Sequence, residues 1–344
     1  MTHRVTENDS PGHREWLTGS RRMKVGTMAE REDDLYRTAL LYYVQGESMD
    51  AIAHQLGVSR STVSRHIKLA RDTGVVRITL THPRGAHSAL EDMLQRRFGV
   101  NAHVVTMKDA VSDVGRLDRV ARVAASVLGE AVQDGTMLGI AWGTTIAAVT
   151  AHLQSKPVNG VTLVQLNGAA NDRTTGIDYV SNIMSRFAQA YDAESLLFPV
   201  PAFFDYAETR EALWRERSIA RVREMQLQCG LAVFGVGSVA GGLPSHVYSS
   251  GYLDDEARAE LSRDHVVGDV CTVLLRQDGS WADIALNTRA SGPTPLQLRR
   301  IPRRLGVVAG VGKARALVAA LRAQVMTDLV VDEKTARVAL DLSQ

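Results

Sequence analysis

The sequence predicts an α/β protein in two parts: a small helical N-terminal domain holding a helix-turn-helix, and a large C-terminal domain with a mostly parallel sheet covered by helices. Three observations carry this expectation. Between residues 33 and 73 apolar residues recur only at helical spacing, with a glycine turn between two capped helices. From residue 102 onward, short apolar runs alternate with amphipathic stretches, the pattern of strands buried on both faces. Finally, 344 residues that are 45% hydrophobic and 23% charged are too many for one typical domain and comfortable for two.

Along the chain, residues 1–30 are polar and unpatterned and are expected to be a disordered arm. The helix-turn-helix domain is placed at 31–82. Leu35, Ala39, Tyr42 and Tyr43 fall roughly on one face of a first helix, which Gln45-Gly46-Glu47 breaks. Ser48 is placed to cap a second helix with Ile52, Ala53 and Leu56 inward. Gly57-Val58-Ser59 makes a tight turn, with Ser59 as the next cap. Val63, Ile67 and Ala70 form the apolar stripe of the third helix, and Gly74 ends it. A strand is expected over 75–80, a break at His82-Pro83-Arg84-Gly85, and a charged helix over 88–97 inside a linker at 83–100.

The large domain is placed at 101–344. Its expected strands are 102–106, 136–141, 161–166, 195–199, 231–236, 270–276, 305–309 and 328–331. Its expected helices fall near 115–133, 144–154, 176–191, 208–217, 254–263, 312–323 and 333–341.

Composition narrows the function classes. The net charge is only +2, so any nucleic-acid surface must be local. Cys229 and Cys271 have no metal-ligand spacing and sit in apolar stretches, which suits buried reduced thiols in a cytoplasmic protein. No signal core and no apolar run of about eighteen residues occurs, so no membrane is expected. The ten histidines are scattered, and no metal site, cofactor or catalytic triad is expected.

The stretch at 48–70 has the layout of a DNA reader. With Val63, Ile67 and Ala70 inward, the opposite surface presents Ser59, Arg60, Ser61, Ser64, Arg65 and Lys68, suited to base edges and phosphates in a major groove. Thr62 is open between packing and phosphate contact. Residues 51–71 hold no acidic side chain, while Arg60, Arg65, Lys68 and Arg71 give a local +4. The alternative is an ordinary helical hairpin with a solvated basic face.

Four glycine loops invite a ligand reading. Gly143-Thr144-Thr145 follows a strand and opens a helix, a ready anion site or simply a tight capped turn. Asn171-Asp172-Arg173, after another strand, suits a polyol or a plain turn. Gly235-Val236-Gly237 fits a permissive dinucleotide fingerprint, but Gly241-Gly242-Leu243-Pro244 stands where a helix should follow. In Val-Ala-Gly-Val-Gly-Lys, ending at Lys313, Val307 and Ala314 occupy the positions where a phosphate-binding P-loop requires glycine and a hydroxyl. There remains a lysine at a helix start after a strand, a candidate contact for an anion or a sugar.

Taken in order, DAIAHQLGVSRSTVSRHIKLARDTGVVRI, GIAWGTTIAAV, VQLNGA, FGVGSV, SSGYLDDE, VGDVC and the stretch at 298–336 make the chain resemble the SorC family of sugar-binding bacterial transcriptional regulators, from about residue 33 to 340. The resemblance implies a Rossmann-like effector domain similar in fold to ribose-phosphate isomerases and glucosamine-phosphate deaminases, without their activity. It implies double-stranded operator DNA and a sugar, polyol or sugar-phosphate effector as partners, usually within a homodimer or homotetramer. Carried over by position, Gly143, Thr144 and Thr145 would hold phosphate or hydroxyls. Asp269 and Lys313 would complete the pocket, with Asn167, Gly168 and Asp332 as neighbours; Asn171, from the loop reading above, is counted with the effector residues. The Ala-Ala-Asn-Asp loop after Asn167-Gly168, the prolines Pro293 and Pro295, and the long N-terminal arm depart from the shared pattern. The rival reading is a sugar-phosphate isomerase or deaminase joined to a DNA-binding domain, with Asp269 and Lys313 as its acid/base pair.

Overall fold

The computed structural model describes residues 28–76, 88–108, 110–240 and 245–344. The chain divides into two compact units, Met1–Thr81 and His82–Gln344.

The small unit begins with helix α1 (Met28–Ala39), which opens inside the stretch expected as an arm; residues 1–27 lie outside the described residues. It runs into a π-helical turn, Leu40–Val44. Helix α2 (Met49–Leu56) is capped by Ser48, whose Oγ accepts from the Ala51 amide, and ends where Gly57 turns left-handed at φ 65°. Helix α3 (Arg60–Asp72) is capped by Ser59. Leu41, Ile52, Val63 and Ile67 form one core cluster, and Leu35, Ala39 and Ala70 another. The expected stripe of the first helix is corrected at its end: Tyr42 is half-buried and Tyr43 exposed, while Leu41 points inward. A π turn inserts an extra residue into the helical count and rotates the residues after it onto a different face. Of the strand expected over 75–80, Val75 and Val76 form a bend, and the rest lies outside the described residues, as do 82–85.

The large unit runs α4 (Ala89–Phe98), β1 (Asn101–Val105), α5 (Asp113–Ala131), β2 (Met137–Ile140), α6 (Thr144–Thr150), β3 (Thr162–Gln165), α7 (Ile177–Tyr191), β4 (Glu194–Leu196), α8 (Ala207–Leu213), α9 (Arg217–Gln228) and β5 (Leu231–Gly235). It continues with β6 (Gly237–Ser238), α10 (His246–Ser249), α11 (Asp255–Arg263), β7 (Val266–Val270), β8 (Val273–Arg276), α12 (Pro295–Leu298), β9 (Arg303–Val308), α13 (Ala314–Arg322), β10 (Asp328–Asp332) and α14 (Glu333–Asp341). Seven strands pair in parallel in the order β1-β10-β9-β5-β2-β3-β4. Their alternate residues feed two separate cores. Leu231, Val233 and Val330 join the layer of α5, α6 and α7, whereas Ala232, Phe234, Leu329 and Val331 join that of α4, α9, α13 and α14.

Three expectations are corrected. The helix expected in the linker, α4, buries Leu90 and Leu94 and packs with β1 and α14, so it is part of the large unit. Helix α9 was not expected at all. Its buried stripe is Ile219, Val222 and Gln226, too polar to signal a helix among four charged residues. The strand expected over 270–276 is a hairpin, β7–β8, which pairs antiparallel with β6 in a small second sheet. The chain reverses at Cys271-Thr272, at φ 50° and 68°. Positive φ at both central residues is the two-residue hairpin geometry that usually selects Asn-Gly.

Candidate functional site

The first candidate surface lies on α3. Ser59 Oγ accepts from the Thr62 amide at 3.1 Å and lies 2.8 Å from Ser61 Oγ and 2.9 Å from Thr62 Oγ1, so three hydroxyls cluster at the helix start. Ser59, Arg60, Ser61, Ser64, Arg65 and Lys68 are exposed, and Thr62 is half-buried. Val63, Ile67 and Ala70 occupy the core, which fixes the opposite face outward. Arg60 Nε sits 3.6 Å from Asp50 Oδ1, a carboxylate just outside the acid-free stretch.

The second candidate is a cleft in the large unit with about 640 Å³ of empty space, counting its mouth. It opens at the carboxyl ends of β2, β3, β5 and β9. The chain leaves β2 toward β3 on one side and leaves β5 toward β9 on the other, so the loops after β2 and β5 part there and open a crevice. Gly143 adopts φ 151° and ψ 165°, a conformation open only to glycine, and a Cβ there would meet open space. Thr145, two residues on, is buried. Gly237 lets the wall close: a Cβ on it would lie 1.9 Å from Asp269 Oδ1.

The floor carries the charges. Lys313 is 9% exposed and donates from Nζ to Thr145 Oγ1 at 3.4 Å. Asp269 is 5% exposed, and its Oδ2 accepts from the Thr272 amide at 3.1 Å while Oδ1 is buried without a partner. Asn167, 2% exposed, likewise has an unpartnered buried Oδ1. Burial pushes the Asp269 carboxyl up to about 6, against the Tyr248 hydroxyl, the Thr272 amide and Lys313, which favour its charge. Burial also lowers Lys313, and Asp269 works against it. The two make no ion pair within 4.0 Å among the described residues, so their attraction acts across the cleft.

The glycine turn before Lys313 is tied down from behind. Gly310, at φ 102°, donates its amide to Asp332 Oδ2 at 2.9 Å, and Ser238 Oγ donates to the Gly312 carbonyl at 3.0 Å. Asp332 is fully buried. It caps α14 through Thr335 and pairs with the buried Arg116 at 2.8 Å. Asp332 therefore positions the loop and does not line the cleft.

Of the expected effector residues, the fold brings together Gly143, Thr144, Thr145, Asn167, Asp269 and Lys313. Two are corrected. Gly168 is a packing glycine: a Cβ would lie 2.3 Å from the carbonyl oxygens of Val200 and Pro201, and its own carbonyl accepts from Trp142 Nε1. Asn171 is a loop staple, accepting from the amides of Arg173 and Thr174 and donating to the Ser250 carbonyl. With Asp172 and Arg173 it borders a different cleft.

Sequence reasoning missed the aromatic cluster that reaches the cleft through Trp142 and His246. Trp142 stacks on Tyr252 at 5.2 Å, Tyr179 meets Trp142 edge-on at 6.2 Å, and His246 tilts on Tyr179 at 5.0 Å. The tryptophan directly before Gly143 was its one visible signal; His246 and Thr272 come from elements the sequence did not reveal. Gly235 and Gly237 do line the cleft, but Gly237 itself opens the short strand β6 and no helix starts there, in keeping with their departure from the dinucleotide pattern. Among the described residues no group of acidic, histidine or cysteine side chains could hold a metal, and no helix is long and apolar enough to cross a membrane. Both cysteines are free and buried.

Comparison with known proteins bears on both units. A family described as "Putative sugar-binding domain" matches residues 83–341, and one described as "Sigma-70, region 4" matches residues 33–73. The deoxyribonucleoside regulator of Bacillus subtilis is 31% identical over 309 residues, 90% of this chain and 97% of that protein. The sorbitol operon regulator of Klebsiella pneumoniae is 25% identical over 317 residues, 90% of this chain and 99% of that one. Among solved structures, a domain of a possible sugar-binding transcriptional regulator from Arthrobacter aurescens matches with a TM-score of 0.70 and 45% identity, over 76% of this chain and all of that one. The full-length sorbitol operon regulator of Klebsiella pneumoniae superposes with a TM-score of 0.71 at 24% identity over 89% of this chain and 97% of its own, a likeness of fold.

Proposed function

Because the chain belongs to the SorC family of sugar-binding transcriptional regulators, we propose that α3 reads operator DNA and that a sugar, polyol or sugar phosphate in the Lys313 cleft alters that reading. Ser59, Arg60, Ser61, Ser64, Arg65 and Lys68 are the contacts to base edges and phosphates, with Thr62 at the phosphate-facing end of the helix. Gly143, Thr144, Thr145, Asn167, Asp269 and Lys313 take the effector.

One observation supports the cleft reading above the rest: Asn167 Oδ1, a buried acceptor without a partner, shares a cavity with the buried Lys313 ammonium and with Asp269, whose Oδ1 makes no hydrogen bond although the buried Tyr248 hydroxyl lies close enough to favour its charge. A buried acceptor left unsatisfied costs about 1–3 kcal/mol, so the site favours a ligand that brings several hydroxyl donors. Lys313 suits a hydroxyl, ring or phosphate oxygen as a point charge. The Trp142 face suits the apolar side of a sugar ring. The parallel sheet with its loops gathered at the strand ends supports the likeness to ribose-phosphate isomerases and glucosamine-phosphate deaminases. The relatives are named as regulators, which favours a binding role for Asp269 and Lys313 over an acid/base one. The assembly suited to a two-fold operator is a homodimer or homotetramer.

The test is a thermal-shift screen of sugars, polyols and their phosphates, followed by operator-binding titrations. A ligand at one hundred times its Kd stabilises the chain by about 2.7 kcal/mol. The expected hit also changes operator affinity and loses both effects in Lys313→Met. A hit whose effects survive that substitution removes the lysine from the site.

A further inference from the structure

We infer that the large unit holds a second ligand site, a pocket on Trp214 that takes the phosphate group of a small phosphorylated metabolite. It is a separate cleft with about 610 Å³ of empty space, counting its mouth, and none of its lining residues borders the Lys313 cleft.

Trp214 closes the end of α8, held by Phe204 edge-on at 5.3 Å and Phe198 at 5.7 Å. Two guanidiniums share its ring: Arg223 Cζ stands 4.9 Å and Arg210 Cζ 5.9 Å from the centroid. Arg210 donates from Nη1 to the carbonyls of Asn287 and Ala290, leaving its buried Nε without a partner. Arg223 has the ring as its neighbour and, like Arg210, pairs with no carboxylate within 4.0 Å among the described residues. Burial holds both guanidiniums below their ordinary range; Glu211 works against this at Arg210, while Arg210 lowers Arg223 further.

Two half-buried cations on one indole repel each other. Each cation–π contact offsets this in part and supplies no counter-charge. A dianion between them would supply it, and the planar guanidinium fork matches phosphate oxygens in both charge and geometry. A single carboxylate would neutralise only one. The space, bordered by the backbone at 290–294, exceeds what a bare ion fills, which leaves room for the organic part of a phosphate ester.

The same backbone reaches the first cleft. Ser291 Oγ accepts from the Gly168 amide at 2.9 Å, and Gly292 lies so close that a Cβ on it would stand 1.7 Å from the Cys271 carbonyl. Cys271 and Thr272 form the turn after Asp269 and line the Lys313 cleft. An occupant of the Trp214 pocket therefore bears on the segment that carries Asp269.

The test is calorimetric titration of the full chain with inorganic phosphate, against chloride at matched ionic strength. Saturable binding is expected for the wild type, weakened about tenfold or more in Arg223→Met and Arg223→Gln, since a charge-assisted hydrogen bond is worth about 1.5–3 kcal/mol. Arg223 is chosen because its loss strips no backbone carbonyl of a partner, and two variants guard against misfolding of one. Three results overturn the site: no saturable heat beyond chloride, unchanged affinity in both Arg223 variants, or a larger loss in Lys313→Met than in either.

Discussion

The exposed face of α3 and the floor of the Lys313 cleft hold polar side chains in opposite ways. On α3 the cations and most of the hydroxyls stand in water, and Val63, Ile67 and Ala70 anchor the helix. In the cleft, Asn167, Asp269 and Lys313 are withdrawn from water, and the folded chain bears their desolvation before any ligand arrives. A surface suited to phosphate loses nothing by staying solvated. A site for a neutral or mixed ligand gains selectivity from groups that only the right hydroxyls can satisfy. Substitutions on α3 should therefore change binding while leaving stability alone, and substitutions beneath the cleft should change both.

The largest effect is expected at Asp332. It accepts from Gly310, from Thr335 twice and from the buried Arg116. Asp332→Ala leaves that guanidinium without its counter-charge and the Gly310 turn without its tie. Urea unfolding should show a loss of about 3–5 kcal/mol. A loss under about 1 kcal/mol would mean that the buried side of the comparison is overstated.

Next comes Arg65→Ala on α3. Operator affinity at fixed salt should fall by about 1–3 kcal/mol, the worth of a good base contact, while unfolding stability stays within about 0.5 kcal/mol. Wild-type affinity in this variant would take Arg65 out of the interface. A stability loss comparable to that of Asp332→Ala would erase the distinction itself.

The pH response separates the two regions more finely. Asp269 is raised from 3.8 to about 6 by burial. The folded chain thus holds this proton more tightly than the unfolded chain, so the contribution to stability is fully present below 3.8 and is lost as pH rises through about 6. Ligand affinity runs the other way, because the ionised carboxylate is the better acceptor. Going from pH 5 to pH 7 should tighten effector binding about tenfold. Asp269→Asn should flatten both trends, and a pH-independent affinity in the wild type would mean that Asp269 makes no contact with the ligand.

The same contrast explains which parts the sequence revealed. The local structure of α3 was legible almost residue by residue, because caps, turn and apolar stripe are local signals and the exposed face is whatever the stripe leaves over. Half of the cleft was legible, namely the glycine loops after strands and Lys313. Gly168 and Asn171 were misplaced because residues beside a site and residues in it share one loop, and only the approach of Val200, Pro201 and Ser250, distant in sequence, tells them apart. The hairpin that delivers Asp269 was hidden because Cys271-Thr272 adopts a turn that its residue types disfavour. Arg116 beneath Asp332 was hidden for a similar reason: an arginine on a helix reads as solvated until its partner 216 positions away is placed.

The smallest effect tests the solvated side at its limit. Arg60 is 3.6 Å from Asp50, with both side chains about two-thirds exposed at 68% and 70%. A pair this open contributes a few tenths of a kcal/mol at most, because water and salt screen it. Asp50→Asn should leave stability unchanged within error and free Arg60 for phosphate. Operator binding should then tighten by less than about threefold at low salt and by nothing measurable at high salt. A large gain that persists at high salt would show that Asp50 holds Arg60 away from DNA. The face of α3 would then be gated by a paired charge and no longer open.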